Sequence, residues 1–149
     1  MDDRVRVRVE RAAAVAASPE ALWEVIADVA RWPEFKPFIR RTRVAGPLGM
    51  GARFRMDIAV KGPAVPVPVT VVEWDQPRRM AWSGGLPGLV VSTHSFIIEP
   101  ADGGARLVSL EEFRGPLCRL MLVFVSEADL NRLHDRWLEA IKARAERPA

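Results

Sequence analysis

Residues 89–114 read LVVSTHSFIIEPADGGARLVSLEEFR, and this stretch decides the fold. Residues 101–104, Ala-Asp-Gly-Gly, are a strong β-hairpin turn between two stretches rich in Val, Ile, Leu and Phe. The pattern predicts strands over 89–99 and 105–113 that pair antiparallel. A long hairpin with an apolar face needs more strands beside it and a cover over that face.

The hairpin also predicts which residues face each other. Counting outward from the turn places His94 opposite Glu111 and Phe96 opposite Ser109. His94 and Phe96 then share the face that meets the core, because side chains alternate between the two faces of a strand. A slip of one residue would move His94 and Glu111 to opposite faces.

The sequence after the hairpin predicts a long helix. Gly115-Pro116 ends the strand, and nothing from Leu117 to Arg147 interrupts a helix. The apolar positions form two stripes that are slightly out of phase near Ser126, which indicates a bend or a short break there. The stripes are Leu117, Leu120, Met121 and Phe124, and then Leu130, Leu133, Trp137, Ala140 and Ile141.

The sequence before the hairpin begins with one strand and two short helices. Residues 4–15 alternate with period two. Ser18 suits a helix N-cap, and that helix should end near Arg31, ahead of Pro33. A brief helical piece is expected over 34–39.

Residues 41–113 contain strands joined by turns. Pro66 and Pro68 predict that the start of the strand over 65–74 is an edge or is frayed, because proline has no N–H to donate to a neighbouring strand. The element order is strand, two helices, six strands and a long helix. This order predicts an α+β fold in which a curved, seven-stranded antiparallel sheet surrounds the C-terminal helix.

Composition narrows the class of protein. The 149 residues fit one domain, 1–149, with 49% hydrophobic and 28% charged residues and a net charge of +3. Basic residues are scattered without interleaved aromatics, so we expect no nucleic-acid binding. The longest strongly apolar run, 120–125, is too short for a membrane span, and no signal peptide is visible. We expect a cytoplasmic protein, either a monomer or a homodimer.

Known cofactor and metal motifs are missing from the sequence. It has no glycine-rich phosphate loop, no Cys-x-x-Cys or His-x-x-x-His pair, and a single cysteine, Cys118. The two histidines, His94 and His134, lie on different predicted elements. We therefore expect no metal site and no cofactor.

Several short motifs, in this order, resemble the START-like (SRPBCC) superfamily, which includes polyketide cyclase/dehydrase-like and birch-pollen-allergen-like proteins. The resemblance implies a helix-grip fold with an internal cavity, and ligands such as lipids, sterols or polyketides. It implies no fixed set of catalytic residues. The motifs are Ala17–Trp23, Asp28 with Trp32–Phe35 and Pro37, Gly51, Glu73 with Pro77, Ala81-Trp82, His94–Phe96 with Glu99-Pro100, and Glu111 with Gly115.

His94 and Glu111 are the candidate polar pair. A carboxylate beside an imidazole can tune it for proton transfer near neutral pH. The same pair can also be a hydrogen bond in a cavity wall that only orients a ligand. Both interpretations stay open.

Apolar and aromatic side chains provide the candidate pocket wall, although each of them also suits an ordinary core. We assign Trp137 to helix packing, and Trp32 with its neighbours to a structural plug at one end of the sheet. The candidate ligand-binding residues are Phe54, Met56, Trp82, His94, Phe96, Glu111, Phe113, Met121 and Phe124.

The sequence supports three alternative hypotheses for the function. The first is binding of a small apolar or aromatic molecule inside the fold. The second is an aromatase/cyclase-type enzyme that uses His94 and Glu111. The third is a protein-interaction domain that uses the Pro- and Val-rich hairpin over 61–68.

Overall fold

The structure, a computed structural model, describes residues 4–36 and 38–147. These residues form seven strands, four α-helices and one 3-10 turn at Val29–Arg31. The strands are β1 (Val5–Val15), β2 (Ile39–Val44), β3 (Arg53–Ile58), β4 (Val65–Asp75), β5 (Arg79–Leu86), β6 (Val90–Ala101) and β7 (Gly104–Arg114). The helices are α1 (Pro19–Ala27), α2 (Trp32–Phe35), α3 (Cys118–Phe124) and α4 (Glu127–Ala145).

All seven strands belong to one antiparallel sheet with the order β1-β7-β6-β5-β4-β3-β2. The sheet curves around α4, which contributes Leu133, Trp137, Leu138 and Ile141 to the main core. This confirms the predicted helix-grip α+β fold. No helix among the described residues has the length and apolar character needed to cross a membrane.

The β6–β7 hairpin has the register that the turn predicts. Ala101 pairs with Gly104 across the turn, and His94 pairs with Glu111. Phe96 pairs with Ser109, which completes the predicted pairing on this face. The turn chemistry and the alternation agree, so the register is well specified.

The proline-bearing end of β4 is a local edge. Residues 65–69 pair with β3, whereas pairing with β5 begins at Thr70. The prediction for Pro66 and Pro68 therefore holds at this end, although β4 as a whole lies inside the sheet. Their missing N–H groups fall where β4 has no second neighbour.

The helices after β1 differ from the prediction. Ser18 caps α1 as expected, and its hydroxyl accepts the N–H of Ala21 at 3.1 Å. The second helix occupies Trp32–Phe35, earlier than the predicted 34–39. Pro33 lies in the first turn of α2, where a missing N–H costs no hydrogen bond. The predicted helical piece also included Pro37, which lies outside the described residues.

The C-terminal helix is broken where the two apolar stripes lose phase. α3 ends at Phe124 and α4 begins at Glu127, with Ser126 as its N-cap. Gly115 turns the chain from β7 towards α3 with a φ of +118°, and a Cβ there would lie 2.1 Å from the carbonyl oxygen of Leu89. Only glycine fits this close approach.

Candidate functional site

A pocket of about 190 Å³ lies between the sheet and the two C-terminal helices. Strands β3–β7 form one side of it, and α3 and α4 form the other. Its wall is mainly apolar, with His94, Glu111 and Ser92 as the polar exceptions. The lining residues are Met56, Ile58, Val60, Val67, Val69, Trp82, Ser92, His94, Glu111, Phe113, Met121, Val125, Leu130, Leu133 and Trp137.

The structure brings most of the candidate site residues to this pocket. Phe54 and Phe96 are buried in the adjacent core but do not line the pocket. Phe124 is 70% exposed, so its placement in the wall was wrong. The candidates in the wall are Met56, Trp82, His94, Glu111, Phe113 and Met121. Their role in binding stays a prediction.

The prediction for Phe124 failed because α3 turns a different face towards the core than the one expected. Its inner face carries Cys118, which is buried, and the partly buried Met121 and Leu122, and the partly buried Val125 follows directly after the helix. The predicted stripe contained Met121 and Phe124, which have helical spacing. Since six of the seven residues of α3 are apolar, periodicity does not decide which face is buried.

An aromatic cluster fills the space next to the pocket. Trp137 lies at its centre, with ring centroids 5.2 Å from Trp32, 5.5 Å from Phe96 and 5.3 Å from His94. Trp137 also lines the pocket, which corrects its assignment to helix packing alone. The cluster closes one end of the interior, so the pocket occupies only part of the space between sheet and helix.

Four buried or partly buried polar side chains form a continuous hydrogen-bonded chain. His94 Nε2 lies 2.8 Å from Ser109 Oγ, and Ser109 Oγ lies 2.8 Å from His134 Nδ1. His134 Nε2 lies 2.9 Å from Glu111 Oε1. His94 and Glu111 are therefore connected through Ser109 and His134, from two strands to α4 and back.

The donors of this chain follow from the carboxylate at its end. An ionised Glu111 only accepts, so His134 Nε2–H donates to it. Nδ1 of a neutral His134 then accepts the hydroxyl proton of Ser109, and Ser109 Oγ accepts Nε2–H of His94. All three donors point towards Glu111, and Nδ1 of His94 remains as the acceptor nitrogen of that ring.

Burial keeps His94 neutral. Loss of water around the ring is the main reason that its pKa lies well below the usual 6.5. A neutral imidazole in the pocket wall can accept a hydrogen bond from a ligand hydroxyl or receive a proton.

Sequence reasoning missed Ser109 and His134. A signal for both was present: Ser109 shares a strand face with Leu107 and Glu111, and His134 falls three residues before Trp137 on the apolar face of α4. A polar residue on an apolar face usually has a hydrogen-bond partner inside the protein. The separation of the two histidines in sequence concealed that they meet.

The same groups resemble a metal site in composition. His94, Glu111 and His134 each offer a ligand atom, and these atoms lie within 4.8 Å of one another. However, the imidazoles are stacked, with centroids 4.7 Å apart and planes 21° from parallel. In this structure the ring nitrogens are already engaged in hydrogen bonds: His94 Nε2 and His134 Nδ1 to Ser109, and His134 Nε2 to Glu111. The geometry favours the hydrogen-bonded chain.

A larger groove of about 470 Å³ lies elsewhere, where the end of β1 meets the β6–β7 turn, beside Lys142. Alanines at 12–14 and 16 form much of its floor. Lys142 Nζ is already bonded to Ala14 O and to Glu146. The groove therefore lacks a buried polar cluster such as the one that lies beside the smaller pocket.

A curved antiparallel sheet that grips a long helix beside an apolar pocket defines the helix-grip class of proteins. The family described as "Polyketide cyclase / dehydrase and lipid transport" matches residues 6–146, and the chain belongs to this family. No curated protein sequence matches the chain.

Solved structures with the same fold include members of the START superfamily. Zhui aromatase/cyclase from Streptomyces sp. R1128 has a TM-score of 0.79 and 22% identity, over 95% of this chain and 94% of that one. A START superfamily protein from Mycobacterium smegmatis has a TM-score of 0.76 and 16% identity, over 93% and 97%. Ara h 8.0201 has a TM-score of 0.72 and 16% identity, over 93% and 97%. These identities are low, so the likeness concerns the fold.

Proposed function

We propose that the protein binds a small apolar or aromatic molecule in the pocket beside His94. The observation that carries the proposal is an apolar pocket of about 190 Å³ with an ordered polar chain at one side. Burying apolar ligand surface contributes roughly 25 cal/mol per Å² before the cost of association. The lipid- and polyketide-related family supports a ligand of this class.

The pocket size limits the ligand. An apolar cavity of about 150 Å³ is large enough to bind benzene. A pocket of about 190 Å³ therefore suits one or two fused rings, or a short apolar chain. Naphthalene and 2-naphthol are suitable probes, since they differ by one hydroxyl group.

A cavity-filling substitution tests the binding site. Val69 is buried and lines the pocket, whereas Val72 lies on the same strand and is exposed. We expect Val69→Phe to abolish naphthalene binding measured by isothermal titration calorimetry, and Val72→Phe to leave it unchanged. Equal affinities for the two folded variants would overturn the proposed site.

The hydroxyl group of 2-naphthol tests the role of His94. A hydrogen bond to Nδ1 of His94 contributes about 0.5–1.5 kcal/mol, which corresponds to roughly two- to tenfold tighter binding than naphthalene. We expect this preference to disappear in His94→Phe, while naphthalene still binds. A preference that survives in His94→Phe would place the ligand's polar end elsewhere.

An enzyme of the aromatase/cyclase kind is the second candidate, because the chain from His94 to Glu111 offers a path for a proton. The observation that Zhui aromatase/cyclase shares the fold agrees with it. The test is cyclisation of a poly-β-carbonyl probe. We expect His94→Ala and Glu111→Ala to lower the rate by a hundredfold or more if the pair acts as acid and base. A rate that equals the uncatalysed one in the native protein would leave binding as the function.

A further inference from the structure

Lys36 is an unusual lysine. It lies between α2 and β2, and its side chain is fully buried. Its Nζ lies 3.8 Å from the ring centroid of Trp32 and 3.9 Å from that of Trp137. The rings of Phe35 and Phe96 lie farther out, at 5.4 and 5.7 Å. The amine is thus surrounded by aromatic rings.

No described residue accepts a hydrogen bond from this amine. An unpaired ammonium ion in apolar surroundings is costly, and ring faces offset only part of the cost. Burial therefore lowers the pKa of Lys36 well below its usual 10.5, with no carboxylate to oppose the effect. A neutral amine carries a free electron pair, and this is how a lysine in an apolar site becomes a nucleophile.

The amine lies next to the proposed ligand pocket. Trp137 touches the amine with its ring and also forms part of the pocket wall. Lys36 does not line the pocket itself, so a ligand in the pocket reaches the amine when the ring of Trp137 moves aside.

We propose that Lys36 is an imine-forming lysine that captures the aldehyde or ketone group of an apolar ligand; the proposal rests on the pocket being a ligand site. The electron pair of Nζ forms a bond to the carbonyl carbon, and the π pair moves to oxygen. The amine then loses its two protons, and oxygen leaves as water. The step exchanges C=O for C=N, and it needs no oxidant or reductant.

The sequence has only three lysines, so each lysine adduct can be assigned to one of them. Lys61 pairs with Asp129 at 2.7 Å, and Lys142 pairs with Glu146 at 2.6 Å. Both are partly exposed and paired with a carboxylate, unlike the buried and unpartnered amine of Lys36. They serve as controls within the same molecule.

The experiment treats the protein with 2-naphthaldehyde and sodium cyanoborohydride at pH 7, which reduces any imine to a stable amine. Peptide mapping by mass spectrometry then locates the adducts, including any at the N-terminal amine. We expect labelling at Lys36 at least tenfold faster than at Lys61 or Lys142, and slower labelling when excess naphthalene is present. Lys36→Met removes an unpartnered amine from apolar surroundings, so we expect it to fold, to bind naphthalene and to lack the fast adduct.

The outcomes separate this inference from the proposed function. If naphthalene binds and Lys36 stays unlabelled while the other lysines react, the imine proposal is wrong and the pocket stands. If Lys36 is labelled at a rate that naphthalene does not change, the amine is reached by another route and its link to the pocket is wrong. If naphthalene does not bind at all, the proposed function itself fails.

Discussion

Ser109 holds the two histidines together, and it is the residue on which the polar chain depends. Its hydroxyl is fully buried and bonds to His94 on one side and to His134 on the other. Both imidazoles are buried, so solvent has little access to them. The hydroxyl therefore fixes which nitrogen of each ring carries the proton.

Replacing Ser109 with alanine leaves two buried ring nitrogens without partners. We expect Ser109→Ala to lower the free energy of unfolding by about 1–3 kcal/mol, measured by urea denaturation, and to shift the imidazole ¹⁵N resonances. Ser83 is the matched control, because its half-buried hydroxyl donates to the Ser92 carbonyl outside the chain. We expect Ser83→Ala to lower the free energy of unfolding by less. An equal loss in the two variants would show that the hydrogen-bonded chain adds no stability beyond that of an ordinary hydrogen bond.

His94 makes stability depend on pH. Its folded-state pKa is below the usual 6.5 because of burial, so below pH 6.5 the unfolded chain binds a proton that the folded protein does not. The contribution of neutral His94 to the free energy of unfolding is fully present above pH 6.5, and it is lost as the pH falls towards the folded-state pKa. We expect a slope of about 1.4 kcal/mol per pH unit from one proton.

The measurement is urea denaturation between pH 7.5 and pH 5, with His94→Gln as the control. Glutamine retains an N–H donor for Ser109 but does not titrate, so its stability should change less over this range. The same slope in the native protein and in His94→Gln would assign the acid sensitivity to another group.

At the scale of single elements, the sequence predicts the strands better than the rotation of the helices. The β6–β7 register follows from one turn and a period of two, and it places His94 opposite Glu111. Six of the seven residues of α3 are apolar, so the pattern alone does not tell whether Phe124 or the following Val125 is buried, and packing decides. The rotation of α4 likewise brings His134 to Ser109, and this depends on the whole fold rather than on local pattern.

The break between α3 and α4 is stabilised by the start of α4. Ser126 and Asp129 form reciprocal hydrogen bonds of 3.0 and 3.1 Å, a capping box. Lys61, from the segment between β3 and β4, pairs with the same Asp129. The box therefore begins α4 at a fixed residue and ties this end of the helix to the sheet.

Loss of the cap should weaken α4. We expect Ser126→Ala to lower the free energy of unfolding by about 1 kcal/mol, within the usual range for such caps, measured by thermal and urea denaturation. Ser18→Ala, which removes the simple cap of α1, is the comparison. A smaller effect at Ser126 than at Ser18 would contradict the importance of the reciprocal bonds and of the tie to Lys61.

At the scale of the whole molecule, the aromatic cluster limits the volume of the pocket between the sheet and α4. Trp32, Trp82 and Trp137 fill one end of the space that the curved sheet encloses. The remaining pocket of about 190 Å³ is smaller than typical ligand sites of about 300–1,000 Å³. Larger ligands therefore require part of the wall to move.

The wall that moves most easily is α3. It is only seven residues long, and Leu120, Val123 and Phe124 on its outer face are exposed. Its inner face contributes Met121 to the pocket. By contrast, α4 is nineteen residues long and carries Trp137 and Ile141 in the main core. Segments with few buried contacts open at the lowest free-energy cost.

The size of the ligand should therefore determine how fast the backbone amides of α3 exchange their hydrogens with solvent. We expect naphthalene, which fits the closed pocket, to slow hydrogen–deuterium exchange in peptides covering 118–125. Pyrene, with four fused rings, should bind more weakly and speed up exchange in the same peptides, because α3 must be displaced to admit it. Peptides covering 134–141 of α4 should change little with either ligand. If pyrene bound with exchange in α3 slowed as much as by naphthalene, the pocket would have expanded by another route, such as movement of the Trp137 ring away from Lys36.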